Sequence, residues 1–222
     1  MSGSRSRSIP LRASASERVR EAVPRRPSKT RIVVLGESNS GKTALVNAIA
    51  GAQVLTPSPV AHTAHPTVVA HAARPFLSAE TNDRKRVRLA SLDDAPDDVR
   101  RLHVGVREPA LQTLSITDTP ALGVADEDTD PRIPAACRAA DLAIWCTPAM
   151  QAWKASEVRM WEALSRRVRT RGILAVTFAD LISEADLDRL MARLQRDAGP
   201  LFRQIVPASA CADFVRRSIA SP

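Results

Sequence analysis

The sequence predicts a three-layer α/β fold, a mostly parallel central sheet flanked by helices, on three observations. Apolar runs of strand length alternate with segments of helical periodicity, the order that a parallel sheet with crossover helices requires. The first apolar run, Ile32, Val33, Val34 and Leu35, leads directly into GESNSGKT at residues 36–43 and then into the helical pattern ALVNAIAG. Later apolar runs end in polar or small residues, at Asp118, at Thr177 with Asp180, and at residues 207–210, as expected where an open α/β sheet holds a ligand beyond the carboxyl ends of its strands.

Each element has its own reason. The strand near 31–36 is the apolar run, and the helix near 42–50 follows the glycine-bounded turn. A strand is expected near 68–74. The charged insert from about 76 to 109 exceeds a simple hairpin and predicts edge strands near 86–90 and 102–107 with a short helix near 93–100. LQTLSITD gives the strand near 112–117, a helix follows near 132–139, and LAIWCT gives the strand near 142–147. Trp153, Met160, Trp161, Leu164 and Val168 form a stripe on a single helix over 150–168. ILAVTFAD supplies the strand near 172–177. Leu187, Leu190, Met191 and Leu194 mark a helix over 184–198, with Gly199-Pro200 as its stop. A short strand near 203–207 and a closing helix near 210–219 complete the order.

Glycine, four residues, then Gly-Lys-Thr between strand and helix turns successive backbone N–H groups inward around a phosphate and aims a helix N-terminus at it. In that arrangement Lys42 reaches the outer phosphates and the Thr43 hydroxyl holds Mg²⁺, with Asp118 as the carboxylate opposite. Carboxylate acceptors at Asp180 match the N1–H and exocyclic amine of guanine.

The ordered set resembles the guanine-nucleotide-binding proteins, specifically the GTPase domain of the dynamin-like group with its bacterial members, among the Era-like P-loop GTPases. GESNSGKTALVNAIAG is similar to their phosphate loop, including Asn39 and Asn47, and LTPSPVAHTAHPT at 55–67 to their first switch. DTPALG resembles their DTPGL segment, TFAD their TKAD motif, and Pro207-Ala208-Ser209-Ala210 their last base-contacting loop. The resemblance implies GTP or GDP with Mg²⁺ as ligands and slow hydrolysis as a molecular switch. It implies nucleotide contacts from Gly36, Ser38, Asn39, Ser40, Gly41, Lys42, Thr43, Ala121, Thr177, Phe178, Asp180, Ser209 and Ala210. It places Thr43, Thr63 and Asp118 on the metal, and Lys42 and Thr63 in catalysis.

Two departures bear on mechanism. Ala121 stands where the family has glycine, and Phe178 where it has lysine. Ala121 keeps its backbone N–H, and Phe178 offers either an aromatic face for a purine or a strand-end core residue. Leu122, next along, cannot orient a water. A nucleotide-binding interaction module without hydrolysis is therefore the alternative reading. An ATP-using phosphotransferase lacks any acceptor signature.

The 222 residues, 44% hydrophobic, suffice for one α/β domain over 31–222, and with 3% aromatics its core is expected to be aliphatic. Residues 1–30 carry eight basic residues against two acidic, +6 of the net +8, and read as a disordered Ser/Arg/Pro-rich tail. The high net charge therefore describes the tail and not a nucleic-acid groove on the domain. Three readings of the tail stay open: a solvated segment, contact with an anionic membrane or RNA, and an organellar transit peptide. Cys137, Cys146 and Cys211, odd in number and without paired spacing, read as thiols in a reducing compartment. His62, His65 and His71 lack a Cys or carboxylate at ligand spacing. No run suits a transmembrane span, so the expected location is cytoplasmic or peripheral at a membrane. Relatives pair two GTPase domains, so a homodimer or protein partner is expected, whereas the twelve residues after Ala210 leave no room for the group's helical stalk.

Overall fold

The computed structural model describes residues 29–56, 65–122 and 132–208. The strands are β1 (Thr30–Leu35), β2 (Thr67–His71), β3 (Phe76–Thr81), β4 (Arg86–Arg88), β5 (Val99–Val106), β6 (Leu114–Asp118), β7 (Leu142–Pro148), β8 (Gly172–Thr177) and β9 (Gln204–Pro207). The α-helices are α1 (Lys42–Ala50), α2 (Arg132–Ala139), α3 (Ala155–Ala163), α4 (Arg166–Arg169) and α5 (Glu184–Asp197). All nine strands join one sheet in the order β4-β3-β5-β2-β6-β1-β7-β8-β9.

The half built on β1 is parallel. β1 pairs in parallel with β6 and β7, and β7, β8 and β9 continue in the same sense. Helices cover both faces here, and β8 accordingly has no exposed residue along GILAVT. Beyond β6 the sheet changes character: β2 runs antiparallel to β6, β5 parallel to β2, and β3 and β4 form an antiparallel ribbon at the edge. The edge strand β4 is three exposed residues, Arg-Val-Arg, short and charged as unpaired edges tend to be.

Two cores sandwich the parallel half. Ile32, Val34, Leu45, Val46, Ile49 and Ile116 fill the α1 side with aliphatic groups. The other side holds Val33, Leu35, Leu174 and Leu194 together with Trp145, Trp153, Trp161 and Phe202. Trp161 stacks on Phe202 with ring centroids 4.4 Å apart and meets Trp145 edge-on at 5.8 Å. The expectation of an aliphatic core thus holds on one face only, because the few aromatics collect on the other.

Three sequence expectations need correction. The helix over 93–100 is one 3₁₀ turn at Leu92–Asp94, after which β5 begins at Val99; Pro96 removes a helical donor, and Val99 pairs with Thr81 across the ribbon. β3 was not expected as a strand, since FLSAET has few strand formers, yet Phe76 lies over Gly105 of β5, where any side chain would collide with its ring. The single helix over 150–168 is divided into a 3₁₀ turn at Ala149–Gln151, α3 and α4. Trp153 takes a left-handed conformation (φ 60°) before α3, and Leu164 is extended (φ −69°, ψ 150°) after it. The closing helix near 210–219 lies outside the described residues.

Gly172 and Gly199 separate rigid from yielding neighbours. An added methyl at Gly172 would stand 2.4 Å from the Trp161 ring and 3.1 Å from the Arg169 carbonyl, so Gly172→Ala is expected to cost about 1–3 kcal/mol. At Gly199 it meets only the end of the Gln195 side chain, and Gly199→Ala is expected to stay within about 0.5 kcal/mol. Urea midpoints of the two variants check the contrast.

Candidate functional site

The loop 36–41 bridges the end of β1 and the start of α1 with three residues of positive φ: Gly36 (146°), Asn39 (57°) and Gly41 (81°). Gly36 is the tightest. A Cβ there would come 2.6 Å from Ser40 Oγ and 2.7 Å from the Cys146 carbonyl oxygen, so the loop lies against β7 with no space for a side chain. Thr177, at the end of β8, donates to the Ser40 carbonyl at 2.8 Å and fixes the loop from the other side.

Lys42 opens α1 and is nearly buried. Its Nζ donates to the carbonyls of Gly36 at 3.1 Å and Glu37 at 2.6 Å, and burial lowers its pKa from the ordinary lysine value. Thr43 Oγ1 donates to Asp118 Oδ2 at 2.8 Å. The other oxygen, Asp118 Oδ1, is buried and has no partner, and burial pushes the carboxyl up to about 6. A buried carboxylate lacking half its partners beside a threonine hydroxyl and an ammonium fits a hard cation plus phosphate. Among the described residues no group of three or more His, Cys, Asp and Glu comes together.

The segment after β6 is stitched to β1. Thr119 Oγ1 donates to the Val34 carbonyl at 2.8 Å, and the Leu122 N–H to the Gly36 carbonyl at 3.1 Å. Ala121 is thereby held beside the loop, half-buried, while the Leu122 side chain packs on the aromatic core.

After β8, Phe178 is left-handed (φ 56°), a conformation rare for a bulky residue. It is half-buried, and a Cβ on Gly41 would come 3.3 Å from its ring, so the ring lies over the loop and not in the strand core. Asp180 follows, exposed, in the turn at Ala179–Leu181, whose first residue is buried. Ser38 and Asn39 are exposed at the loop tip, while Ser40 is buried with its hydroxyl unpartnered. Thr63, Ser209 and Ala210 lie outside the described residues.

Several supporting groups were not evident in the sequence. Glu37, inside the loop, pairs with Lys154 Nζ at 2.5 Å, and this contact and a Ser156 hydrogen bond hold its carboxyl below the usual value against burial. Glu157, fully buried, accepts from Trp145 Nε1 at 3.2 Å, Thr147 Oγ1 at 2.9 Å and the Lys154 N–H at 2.9 Å. Thr147 Oγ1 in turn accepts from the Trp153 N–H at 2.9 Å. The signal in the sequence was a lone acid within an apolar stripe. Asn47 accepts from the Val54 and Leu55 N–H groups and donates to the Leu55 carbonyl, fixing the chain that leads from α1 toward the first-switch segment.

A β-strand, a glycine-bounded loop, a helix with Lys-Thr at its start and an aspartate on the adjoining strand define a P-loop nucleotide-binding protein. The model of the dynamin family matches residues 32–179, two thirds of the chain, and the chain belongs to that family. It is 27% identical over 168 residues to dynamin-like protein 2 of Campylobacter jejuni subsp. jejuni serotype O:23/36 (strain 81-176), covering 72% of this chain and 27% of that protein. The chain thus spans about a quarter of that relative's length. In fold it is similar to a chain of an oligomerised bacterial dynamin pair described in the long-range sensing and tethering of membranes (TM-score 0.67, 16% identity, covering 90% of this chain and 36% of that one). It is also similar to Era of Aquifex aeolicus bound to GDP and AlF4⁻ (TM-score 0.54, 15% identity, 86% of this chain and 56% of that one).

Thr147→Val removes a donor to the buried Glu157 carboxylate and the acceptor of the Trp153 N–H at once. A loss of about 2–3 kcal/mol is expected in chemical denaturation, since both groups stay buried with a partner missing.

Proposed function

We propose that the chain binds GTP with Mg²⁺ and hydrolyses it slowly, as a molecular switch. The observation that carries this reading is the Thr43–Asp118 contact, with Asp118 Oδ1 buried and unpartnered next to Lys42. Mg²⁺, when bound, neutralises charge developing on the phosphoryl oxygens. Thr43 and Asp118 would hold it, directly or through water, with Thr63 as a third group. Lys42 would leave the two loop carbonyls for the outer phosphates, a charge-assisted contact stronger than the neutral ones it gives up. Gly36, Ser38, Asn39, Ser40 and Gly41 would turn N–H groups on the phosphates, and the Ala121 N–H would meet the last of them. Membership of the dynamin family, with Lys42, Thr43 and Asp118 standing together, favours hydrolysis over the non-hydrolysing alternative that Ala121 and Phe178 raise.

For the base, Asp180 would accept from guanine and Phe178 would stack on it, an interaction of about 1–3 kcal/mol by analogy with other base–aromatic stacks. Ser209 and Ala210 would close the base site. Thr177 acts from behind, since its hydroxyl already holds the Ser40 carbonyl. A second copy or a protein partner would supply the missing catalytic group. Among the described residues no helix is long and apolar enough to cross a membrane, and contact with an anionic membrane or RNA would come through residues 1–30, in the cytoplasm or at its membrane surface.

A nucleotide panel tests the reading. Lys42→Ala is expected to abolish tight GTP binding, and Asp180→Asn to weaken GTP while favouring xanthosine triphosphate, because an amide donates where the xanthine carbonyl accepts. Wild-type affinity in Lys42→Ala would sink the assignment of the loop. Turnover gives a second measurement. With Leu122 unable to orient water, specific activity is expected to rise with protein concentration, toward the ~10³–10⁵-fold effect of a supplied arginine. Fast turnover in a verified monomer, flat across concentration, would contradict it.

A further inference from the structure

A cavity of about 110 Å³ lies between α2 and the open half of the sheet, on the face of β6 opposite α1. Its lining is mostly apolar, with the small residues Ala136 and Ala139 of α2 as the far side, but three guanidinium groups and two hydroxyls reach it, from Arg31, Arg100, Arg101, Ser115 and Thr117. The register explains the grouping. Ser115 and Thr117 flank Ile116, which faces α1, so both hydroxyls point the other way; Val68 sits opposite Thr117 on β2, and Arg100 lies at the bulge where β5 slips against β3.

The three guanidinium groups differ in what they already hold. Arg31 is engaged by Asp141 through two side-chain bonds of 3.1 and 2.9 Å. Arg101 makes only a long contact of 3.7 Å with Glu80, which His103 shares at 3.2 Å. Arg100 is half-buried and feels the charge of nearby Glu80 but makes no hydrogen bond or close ion pair among the described residues, and the Ser115 and Thr117 hydroxyls likewise bond to none of them. A half-buried guanidinium keeps its five donors in a fixed fork that matches a tetrahedral or planar oxyanion. The space suits such a group, since roughly 10–15 Å³ holds a single water.

We propose that this cavity is an oxyanion site, separate from the phosphate loop, that takes the phosphate of a small soluble compound on Arg100 and Arg101 with the Ser115 and Thr117 hydroxyls. Its place under α2, the helix that follows the DTPALG segment, means that an occupant holds that helix against the sheet. The site stands independently of whether GTP is the nucleotide at the loop.

The test uses full-length protein in two forms, one saturated with a non-hydrolysable GTP analogue and Mg²⁺ so that the loop is filled, the other Lys42→Ala without nucleotide. Each is titrated with inorganic phosphate and followed by its thermal midpoint. A saturable rise is expected in both. Arg100→Ser is expected to weaken it roughly tenfold or more, the size of one lost charge-assisted contact, and Ala136→Leu to abolish it by filling the space. Arg100→Ser lies on the surface of the cavity and keeps the fold testable if Ala136→Leu does not. A parallel arm measures sedimentation with phosphatidylcholine vesicles with and without phosphatidic acid. Vesicle binding that needs phosphatidic acid and Arg100, without a response to phosphate, would assign the same chemistry to a lipid headgroup and overturn the soluble source. A phosphate response unchanged in both variants, or lost whenever the loop is filled or disabled, would overturn the site.

Discussion

The structure depends on how closely one loop can lie against two strands. Gly36 and Gly41 give the loop its path, and neither position has room for a Cβ without moving Ser40, the Cys146 backbone, Thr177 or Phe178. The strand ends beneath must therefore be small or precisely shaped, and the polar groups around them tie the loop to its neighbours: Thr177 to Ser40, Leu122 to Gly36, and Glu37 to Lys154. The loop is held on three sides before any ligand arrives, so little ordering entropy is left for a ligand to oppose.

The sheet divides into two halves with different physics. From β6 to β9 it is parallel and packed between two cores, most completely at β8, whose residues are all buried. From β2 to β4 it alternates, with Ala79, Val99 and Leu102 turned to a small core and Glu80, Arg101 and His103 on the opposite face. Burial, joined by the charges of Arg86 and Arg101, lowers the His103 pKa even though Glu80 pulls the other way.

Elements whose signals are local were legible in the sequence: the loop, its flanking strand and helix, Asp118 at a strand end, and the stripe of α5. What was not legible depended on distant partners. β3 exists because Phe76 fits over Gly105, twenty-nine positions away, and α3 starts late because Glu157 is anchored to Trp145 and Thr147 on β7. Glu37 read as an incidental loop residue because nothing in the sequence links it to Lys154, 117 positions on. The acidic run before Val99 looked helical through composition alone, and pairing with the ribbon overrode it.

The gathering of aromatics on one face has a consequence for light. The chain has three tryptophans and no tyrosine, and Trp145, Trp153 and Trp161 all sit in the core shared by α2, α3 and α5. Trp153 is the direct neighbour of Lys154, which grips the phosphate loop through Glu37. The intrinsic emission of the protein therefore originates wholly from one side of the sheet, and bonded routes join it to the loop both through the Glu37–Lys154 ion pair beside Trp153 and through Glu157, Thr147 and Thr177, which holds the Ser40 carbonyl. The opposite, aliphatic side, with α1 and its packing, is optically silent.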